Sequence, residues 1–171
     1  LQNLEMRAAN QLGADTLMKR AGAAAAELIM KRLEDAGVEQ RRVTLLVGPG
    51  NNGGDALACA CELREKGAVV NVVLPGGRRP TSALALAQLE RWTQAGGTTY
   101  DDPYMTEKAD CVVDGLFGTG LAKPITGDYL DAVLWFNERQ ALKVSLDIPS
   151  GLNPVTGHWT GSYPCLLYTS D

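Results

Sequence analysis

The sequence predicts an α/β fold in which helices cover both faces of a mainly parallel sheet, a three-layer α/β/α sandwich. Short apolar runs rich in β-branched residues alternate along the chain with longer segments of helix formers. The composition agrees, since 45% of the 171 residues are hydrophobic and 19 are glycines, which suit tight turns. Alternation of this kind builds parallel β-α-β units, and such sheets are wrapped by helices on both faces.

Two helices are predicted before the first strand. Residues 3–12 carry apolar side chains at helical spacing and form a short amphipathic helix. A longer helix follows, with Asp15 or Thr16 as its cap and its end near Gly37. The chain length suits a single domain with a substantial core.

The stretch from Arg42 to Gly67 organises the rest of the chain. Val43 to Val47 is a β-branched run that predicts a strand, Gly48 to Gly54 predicts a glycine-rich loop, and Asp55 to Lys66 predicts a helix. Glycines let the backbone pass close to a bound group, and free N–H groups at a helix start attract anions or electron-rich oxygens. The loop is therefore a candidate ligand site.

The remaining elements continue the alternation of strands and helices. They are predicted as strand Val69 to Leu74, a turn at Pro75-Gly76-Gly77, a helix capped by Thr81 or Ser82 that runs to about Gln94 before Gly96-Gly97, a weak strand Thr98 to Tyr100, strand Cys111 to Phe117, a loop from Gly118 to Gly127, helix Asp128 to Arg139, and strand Leu142 to Ile148.

The glycine-rich loop matches neither of the common phosphate motifs. It has the G-x-G-x-x-G spacing, but Leu74-Pro75-Gly76 occupies the place where a dinucleotide fingerprint requires an acid. A P-loop requires a Lys and a Ser or Thr after the last glycine, where this chain has Asp55-Ala56.

Three polar side chains remain unusual in this loop. Asn51, Asn52 and Asp55 can coordinate a cation or hydrogen-bond a sugar. The alternative is an ordinary turn between strand and helix, with Asp55 complementing the helix dipole.

Charge and hydropathy exclude two classes of partner. The net charge is −4 and no Lys or Arg cluster exceeds a pair, so the sequence gives no electrostatic basis for nucleic-acid binding. No apolar run is long enough to cross a bilayer, and no signal peptide is visible at Leu1. We therefore expect no nucleic-acid or membrane partner and a cytoplasmic location.

Cysteine and histidine usage argues against a zinc site. Cys59, Cys61, Cys111 and Cys165 lack C-x-x-C spacing and are predicted to be buried free thiols in a reducing compartment. His158 is the single histidine and lies in a Gly-rich stretch, so we predict that it is a surface residue.

Polar residues follow three of the predicted strands. They occupy the segments Asn51 to Asp55, Asp114 to Pro124, and Asp147 to Gly151. Ligands of open parallel sheets bind outside the carboxyl ends of the strands, where the strand order reverses. A carboxylate at the end of an apolar strand is costly unless it is paired or bound, so the three segments predict a site.

Three ordered motifs carry a family resemblance. Val47-Gly-Pro-Gly-Asn-Asn-Gly-Gly-Asp55, Val113-Asp-Gly-Leu-Phe-Gly-Thr-Gly-Leu121 and Leu146-Asp-Ile-Pro-Ser-Gly-Leu-Asn153 resemble the NAD(P)H-hydrate epimerase family, the YjeF N-terminal domain. Leu17-Met-Lys-Arg-Ala-Gly22 is similar to the entry helix of that family. The resemblance implies a Rossmann-like fold and an isomerase that epimerises the R and S forms of hydrated NADH and NADPH.

The resemblance also implies the site residues. A potassium ion would be held by Asn52, Asp114 and Ser150, whose oxygen ligands suit a hard cation. The implied substrate-binding residues are Asn51, Asn52, Gly53, Gly54, Asp55, Gly118, Thr119, Gly120, Leu121, Ala122, Lys123, Pro124 and Asp147.

The sequence departs from the family pattern in two places. Ala56 stands where the family usually has Gly, which we expect to narrow the pocket. Residues 162–171 do not resemble the family, so we expect a C-terminally incomplete family domain over residues 1–161 followed by an unmatched tail. This sequence contains no segment that resembles the dehydratase domain often fused to this one. We expect a fused or separate ADP- or ATP-dependent dehydratase as partner. We also expect a homodimer.

We expect Asp147 to transfer protons as general acid and base, because it lies at the end of a predicted strand beside Pro149-Ser150. Two other functions compete with this hypothesis. The chain could be a non-catalytic Rossmann-like binding or scaffold module, because fold does not settle function. It could also be a nicotinamide dehydrogenase, against which the missing acid after the second strand counts.

Overall fold

The computed structural model describes residues 13–106 and 108–159 and confirms the α/β prediction. Short 3-10 turns lie at Pro75–Gly77 and Pro103–Met105. The predicted helix over residues 3–12 and the predicted tail over 162–171 lie outside the described residues. The helices and strands, in chain order, are α1 (Ala14–Asp35), β1 (Arg42–Val47), α2 (Asn51–Glu65), β2 (Val69–Val73), α3 (Ala83–Gln94), β3 (Thr99–Tyr100), β4 (Cys111–Gly115), α4 (Gly127–Glu138) and β5 (Leu142–Ser145).

The strands of the described part form one parallel sheet in the order β3-β2-β1-β4-β5. In the central strand, Val43 pairs with Val70 of β2 on one side and with Cys111 of β4 on the other. The chain first builds outward from β1 to β3, then crosses back to β4. The strand order therefore reverses between β1 and β4, and the carboxyl ends of these two strands flank the switch point.

Helices cover both faces of the sheet, as predicted. Alternate residues of β1, including Val43 and Leu45, belong to an apolar core that also contains residues of α1, α2 and α3. The intervening Leu46 belongs to a second core with Trp135 and Phe136 of α4. Side chains alternate between faces along a strand, so this division places α4 on the face opposite to the other helices.

Helix α1 begins at Ala14 and follows Gly13, and its first residue carries no side-chain cap. The prediction that Asp15 or Thr16 caps this helix was therefore wrong. The Asp15 carboxylate lies in the first turn, where it accepts a hydrogen bond of 2.7 Å from Nε2 of Gln88 and pairs with Lys19. The side chain of Gln88 is buried, and Asp15 supplies a partner for its Nε2 group, whereas Oε1 has none.

Helix α2 begins at Asn51, four residues before the predicted start at Asp55. Gly53 and Gly54, which were expected in the loop, lie inside this helix. Both are packed closely by neighbouring groups. A Cβ atom at Gly53 would overlap the carbonyl oxygen of Gly48, and one at Gly54 would lie 2.6 Å from the sulfur of Met18. Tertiary packing here outweighs the low helix propensity of glycine.

The carboxyl ends of three strands come earlier than predicted. Strand β2 ends at Val73, β4 ends at Gly115 rather than Phe117, and β5 ends at Ser145 rather than Ile148. After Gly115, the amide of Leu116 turns to the side chain of Asp114 and leaves the sheet. The residues that follow are therefore free to form loops over the sheet edge.

Other local predictions are confirmed. Ser82 caps α3, its hydroxyl oxygen accepting a hydrogen bond of 3.1 Å from the amide of Ala85. The cysteines of the described part, Cys59, Cys61 and Cys111, are free and buried, and His158 is exposed. None of the helices described here is long and apolar enough to cross a membrane.

The loops after β1 and β4 touch each other through Gly48. Its amide donates a hydrogen bond of 2.9 Å to the carbonyl oxygen of Gly115, and a Cβ atom at this position would overlap the carbonyl oxygen of Leu116. Gly50 of the same loop has open space around it and an ordinary φ of −100°.

We therefore expect Gly48→Ala to destabilise the fold and Gly50→Ala to be tolerated. The backbone overlap should cost Gly48→Ala about 3 kcal/mol or more, which lowers the melting temperature by roughly 10 °C. Gly50→Ala should cost about 0.5 kcal/mol, the difference between glycine and alanine before a helix. Thermal melts of both variants measure this contrast, and equal melting temperatures would contradict the packing described here.

Candidate active site

A cavity of about 1020 Å³ opens at the carboxyl ends of the strands that flank the switch point. Its walls come from the loop and helix start after β1, the loop after β4, and the segment after β5. These are the three segments that the sequence predicts to converge. Asp55 and Asp147 are the two acidic residues on the wall, and Arg78 and Lys123 are the two basic ones among the described residues.

The carboxylate of Asp114 lies fully buried beneath this cavity. Its Oδ1 accepts hydrogen bonds from the amide of Leu116 at 3.1 Å and from the hydroxyl of Ser150 at 2.6 Å. Its Oδ2 accepts from the hydroxyl of Ser145 at 3.1 Å and from the amide of Ser150 at 2.7 Å. Four donors satisfy the buried carboxylate, and they join the ends of β4 and β5.

Two side chains from the segment after β5 hold the loop after β4. The hydroxyl oxygen of Ser150 accepts a hydrogen bond of 2.9 Å from the amide of Phe117. Oδ2 of Asp147 accepts one of 3.0 Å from the amide of Thr119. The backbone between Phe117 and Thr119 is therefore held at two points above the sheet edge.

Asp147 has an unusual backbone conformation. Its φ is +64°, and it is the single non-glycine residue with positive φ within 13–106 and 108–159. Gly118 lies against its carboxylate, and a Cβ atom there would be 2.5 Å from Oδ2. Side chains other than Asn, Asp and His rarely adopt this conformation, and local strain of this kind clusters at functional sites.

Asp55 faces the same cavity from the second turn of α2. Burial raises the pKa of its carboxyl group, and the negative charge of Asp147 raises it further, to about 6. Because α2 begins at Asn51, Asp55 lies beyond the first turn, where the helix dipole has little effect. The alternative in which Asp55 complements the helix dipole therefore loses its basis.

The two asparagines of the loop have different surroundings. Asn51 is exposed, whereas the Oδ1 and Nδ2 atoms of Asn52 are both buried and without a hydrogen-bond partner. The Asn52 side chain lies beside Gly118, on the wall of the cavity. A buried amide with neither group satisfied is costly, so a ligand at this point would relieve it.

Nearly all the residues predicted to bind substrate lie on the cavity wall. Gly53 and Gly54 do not: they pack α2 against Gly48 and Met18, and their contact with substrate stays a prediction. Ala56 is fully buried, with its Cβ against Gly115, so the expectation that it narrows the pocket was wrong. The predicted residues on the wall are Asn51, Asn52, Asp55, Gly118, Thr119, Gly120, Leu121, Ala122, Lys123, Pro124 and Asp147.

The sequence did not identify an aromatic and basic part of the wall. Phe117 and Tyr129 form an edge-to-face ring pair with centroids 5.1 Å apart, and Arg78 lies over the ring of Tyr129. The Arg78-Arg79 pair after β2 was a usable signal, since that strand also ends at the ligand-binding edge. Tyr129 lies within a predicted helix, and its side-chain direction depends on the packing of α4.

Several known proteins are similar in sequence to this chain. The family described as YjeF-related protein N-terminus matches residues 14–166. The NAD(P)H-hydrate epimerase of Achromobacter xylosoxidans (strain A8) is 38% identical over 156 residues, covering 86% of this chain and 73% of that protein. The bifunctional NAD(P)H-hydrate repair enzyme of Leishmania infantum is 35% identical over 160 residues, covering 91% of this chain and 28% of that protein.

The fold is shared with a solved structure. The crystal structure of the yeast protein ynu0 superposes with a TM-score of 0.72 at 23% identity, over 89% of this chain and 70% of that one. The chain covers 73% of the Achromobacter xylosoxidans epimerase and 63% of the NAD(P)H-hydrate epimerase of Bordetella pertussis (strain CS), to which it is 40% identical. With a family match over residues 14–166 and relatives 38% to 40% identical, the chain belongs to the family of YjeF-related protein N-termini.

Proposed function

We propose that this domain epimerises the R and S forms of hydrated NADH and NADPH. The observation that carries the proposal is the pair of carboxyl groups, Asp55 and Asp147, on one cavity at the switch point of a parallel sheet. The names of its relatives, NAD(P)H-hydrate epimerase and bifunctional NAD(P)H-hydrate repair enzyme, support the reaction. The cavity, at about 1020 Å³, is large enough for a dinucleotide.

The reaction inverts one carbon of the damaged nicotinamide ring. This carbon carries a hydroxyl group and is bonded to the ring nitrogen. The C–O bond breaks with the help of the nitrogen lone pair, and the hydroxyl leaves as water after taking up a proton. Water then adds to the opposite face of the ring and gives up a proton, so the reaction needs a group that donates one proton and accepts another.

Asp147 acts as this general acid and base. Its carboxyl group protonates the leaving hydroxyl, and the planar ring then turns about its bond to the ribose so that its other face meets Asp147. The carboxylate accepts the proton of the water that adds to this face, so the residue ends in its starting state. The Thr119 amide orients the carboxylate by donating to Oδ2, and Oδ1 is the oxygen that we assign to proton transfer. Holding the group in one place lowers the entropic part of the barrier.

Asp55 binds a polar oxygen of the substrate. With a pKa of about 6, part of the population keeps its proton near neutral pH and can donate a hydrogen bond. Burial beside a second carboxylate is an arrangement found at catalytic sites, where carboxyl groups have pKa values shifted toward the working pH.

Asn52, Asp114 and Ser150 fit a potassium ion. The buried Oδ1 of Asn52 lacks a partner, and the hydroxyl of Ser150 lies 3.2 Å from the carbonyl oxygen of Phe117, to which it can turn. Oxygen ligands of this kind suit a hard cation, which would supply a fixed positive charge beside the substrate.

The proposed reaction indicates a partner enzyme, and the cysteines indicate a cellular compartment. A dehydratase specific for the S epimer, fused or separate, would consume the product, and the bifunctional Leishmania relative supports such a coupling. The buried free thiols of the described part support a reducing compartment, in keeping with the cytoplasm. We also propose that the protein assembles as a homodimer.

The scaffold alternative is not favoured, because the acids and the cavity are both present.

Asp147→Asn should abolish epimerisation and leave the fold intact. Asparagine tolerates the positive φ and has nearly the same shape, so the melting temperature should change little. Loss of proton transfer should lower the rate by about 100-fold or more. The assay uses a mixture of both NADHX epimers, an excess of S-specific dehydratase, and NADH absorbance, with an enzyme-free control for spontaneous epimerisation. A variant that keeps its rate would rule out Asp147 as the acid and base.

Asp55→Asn should stabilise the protein above pH 6. The folded pKa of about 6 exceeds the ordinary 3.8, so wild-type stability falls as pH rises from about 4 through 6. After discounting for solvent exposure, the variant should gain about 1 kcal/mol at pH 7 to 8, or roughly 3 °C in melting temperature.

Melting curves of wild type and Asp55→Asn at pH 4 and pH 7.5 measure this effect. At pH 4 most of the gain should be absent, because Asp55 is protonated in the folded state and about half protonated in the unfolded state. A gain of the same size at both values would show that packing, not charge, is responsible.

Potassium should raise the melting temperature of the wild type. Against choline chloride at equal ionic strength, saturating potassium should add about 2 kcal/mol, or roughly 5 °C. Asn52→Ala should remove this potassium-specific gain, and Asn51→Ala, at the exposed neighbour, should keep it. Equal melting temperatures of the wild type in both salts would exclude the ion.

A further inference from the structure

A cation on the cavity wall has no part in the proton transfer described above. Arg78 follows β2, and its guanidinium carbon lies 5.7 Å from the centroid of the Tyr129 ring. One guanidinium nitrogen, Nη2, donates a hydrogen bond of 3.1 Å to Oδ2 of Asp128. Tyr129 in turn packs edge to face on Phe117, so the guanidinium rests on an aromatic wall of the cavity.

Arg78 and the reacting acid lie at opposite ends of the site. Arg78 follows β2 and Asp147 follows β5, and strands β1 and β4 lie between them in the sheet. Neighbouring strands are about 4.8 Å apart, so the ends of β2 and β5 are separated by roughly 14 Å. A ligand that reaches both ends must be extended, as a dinucleotide is.

We propose that Arg78 binds the phosphate groups of the dinucleotide and thereby orients the hydrated ring toward Asp147. This assignment rests on the proposed function and deepens it. Asp128 competes with the phosphates for the same guanidinium. The substrate lies along the sheet edge, with its charged part at the end of β2 and its reacting carbon at the end of β5.

The chemistry of the guanidinium suits this role. The guanidinium is planar and always charged, and it carries five N–H donors. Asp128 accepts a hydrogen bond from Nη2, which leaves donors for two phosphate oxygens. The Arg78–Asp128 pair is exposed, with 60% and 45% of the two side chains accessible. Exposed ion pairs contribute little, so a doubly charged phosphate group can displace Asp128.

A purely structural role for Arg78 makes a different prediction. In that case the ion pair only fastens the turn at Pro75–Gly77 to α4, and removal of either partner should have the same effect. If Arg78 binds phosphate, its removal weakens binding, whereas removal of the competing charge in Asp128→Asn strengthens binding. The two variants then change affinity in opposite directions.

The experiment measures dissociation constants of NADH, NADPH and reduced nicotinamide riboside by calorimetry. Arg78→Gln should weaken NADH binding about tenfold, the loss of one charge-assisted hydrogen-bonding group, and leave the riboside unchanged. Asp128→Asn should tighten NADH binding about twofold. Arg79→Gln is the matched control, because Arg79 is exposed and is absent from the cavity wall. Arg78→Lys should restore part of the affinity.

The outcomes separate this inference from the proposed function. An equal loss for NADH and NADPH assigns Arg78 to the diphosphate, whereas a loss confined to NADPH would overturn the inference. Changes in the same direction for Arg78→Gln and Asp128→Asn would overturn the inference, as would a riboside affected as strongly as NADH or a wild type that binds neither dinucleotide. A wild type that binds NADH without epimerising its hydrate would refute the proposed function alone.

Discussion

The buried carboxylate of Asp114 is the interaction on which the site geometry depends. A carboxylate removed from water is tolerated only when donors surround it, and here four donors come from three short segments of chain. Two belong to Ser150 and one each to Leu116 and Ser145. The requirement to satisfy this group therefore draws the ends of β4 and β5 together and fixes where the next loops begin.

The loops above Asp114 inherit their positions from that network. Ser150 bonds the amide of Phe117, and Asp147 bonds the amide of Thr119, so the segment after β5 holds the loop after β4. The close contact of Gly48 with the loop after β4 adds the end of β1. Rigid strands thus supply the precision of the site, while its chemistry is carried by loop residues, as is usual for open parallel sheets.

The charges of the cavity are divided along the sheet edge. Asp55 and Asp147 face each other closely enough for one charge to raise the pKa of the other group. Arg78 lies beyond two intervening strands, held by Asp128 and an aromatic ring. An extended ligand with an anionic middle and a polar reacting end matches this order of charges, which is the physical basis for placing a dinucleotide hydrate along the edge.

The alternation of apolar strands with helix formers determined the fold class, and the three polar motifs determined which loops meet, because parallel strands end at one edge. Local pattern could not place the start of α2, since the glycine at position 53 reflects the close approach of Gly48 and does not mark a loop. Nor could it show the missing partners of Asn52, the raised pKa of Asp55, or the place of Arg78 on the wall. These depend on contacts between distant segments, which only the tertiary structure decides.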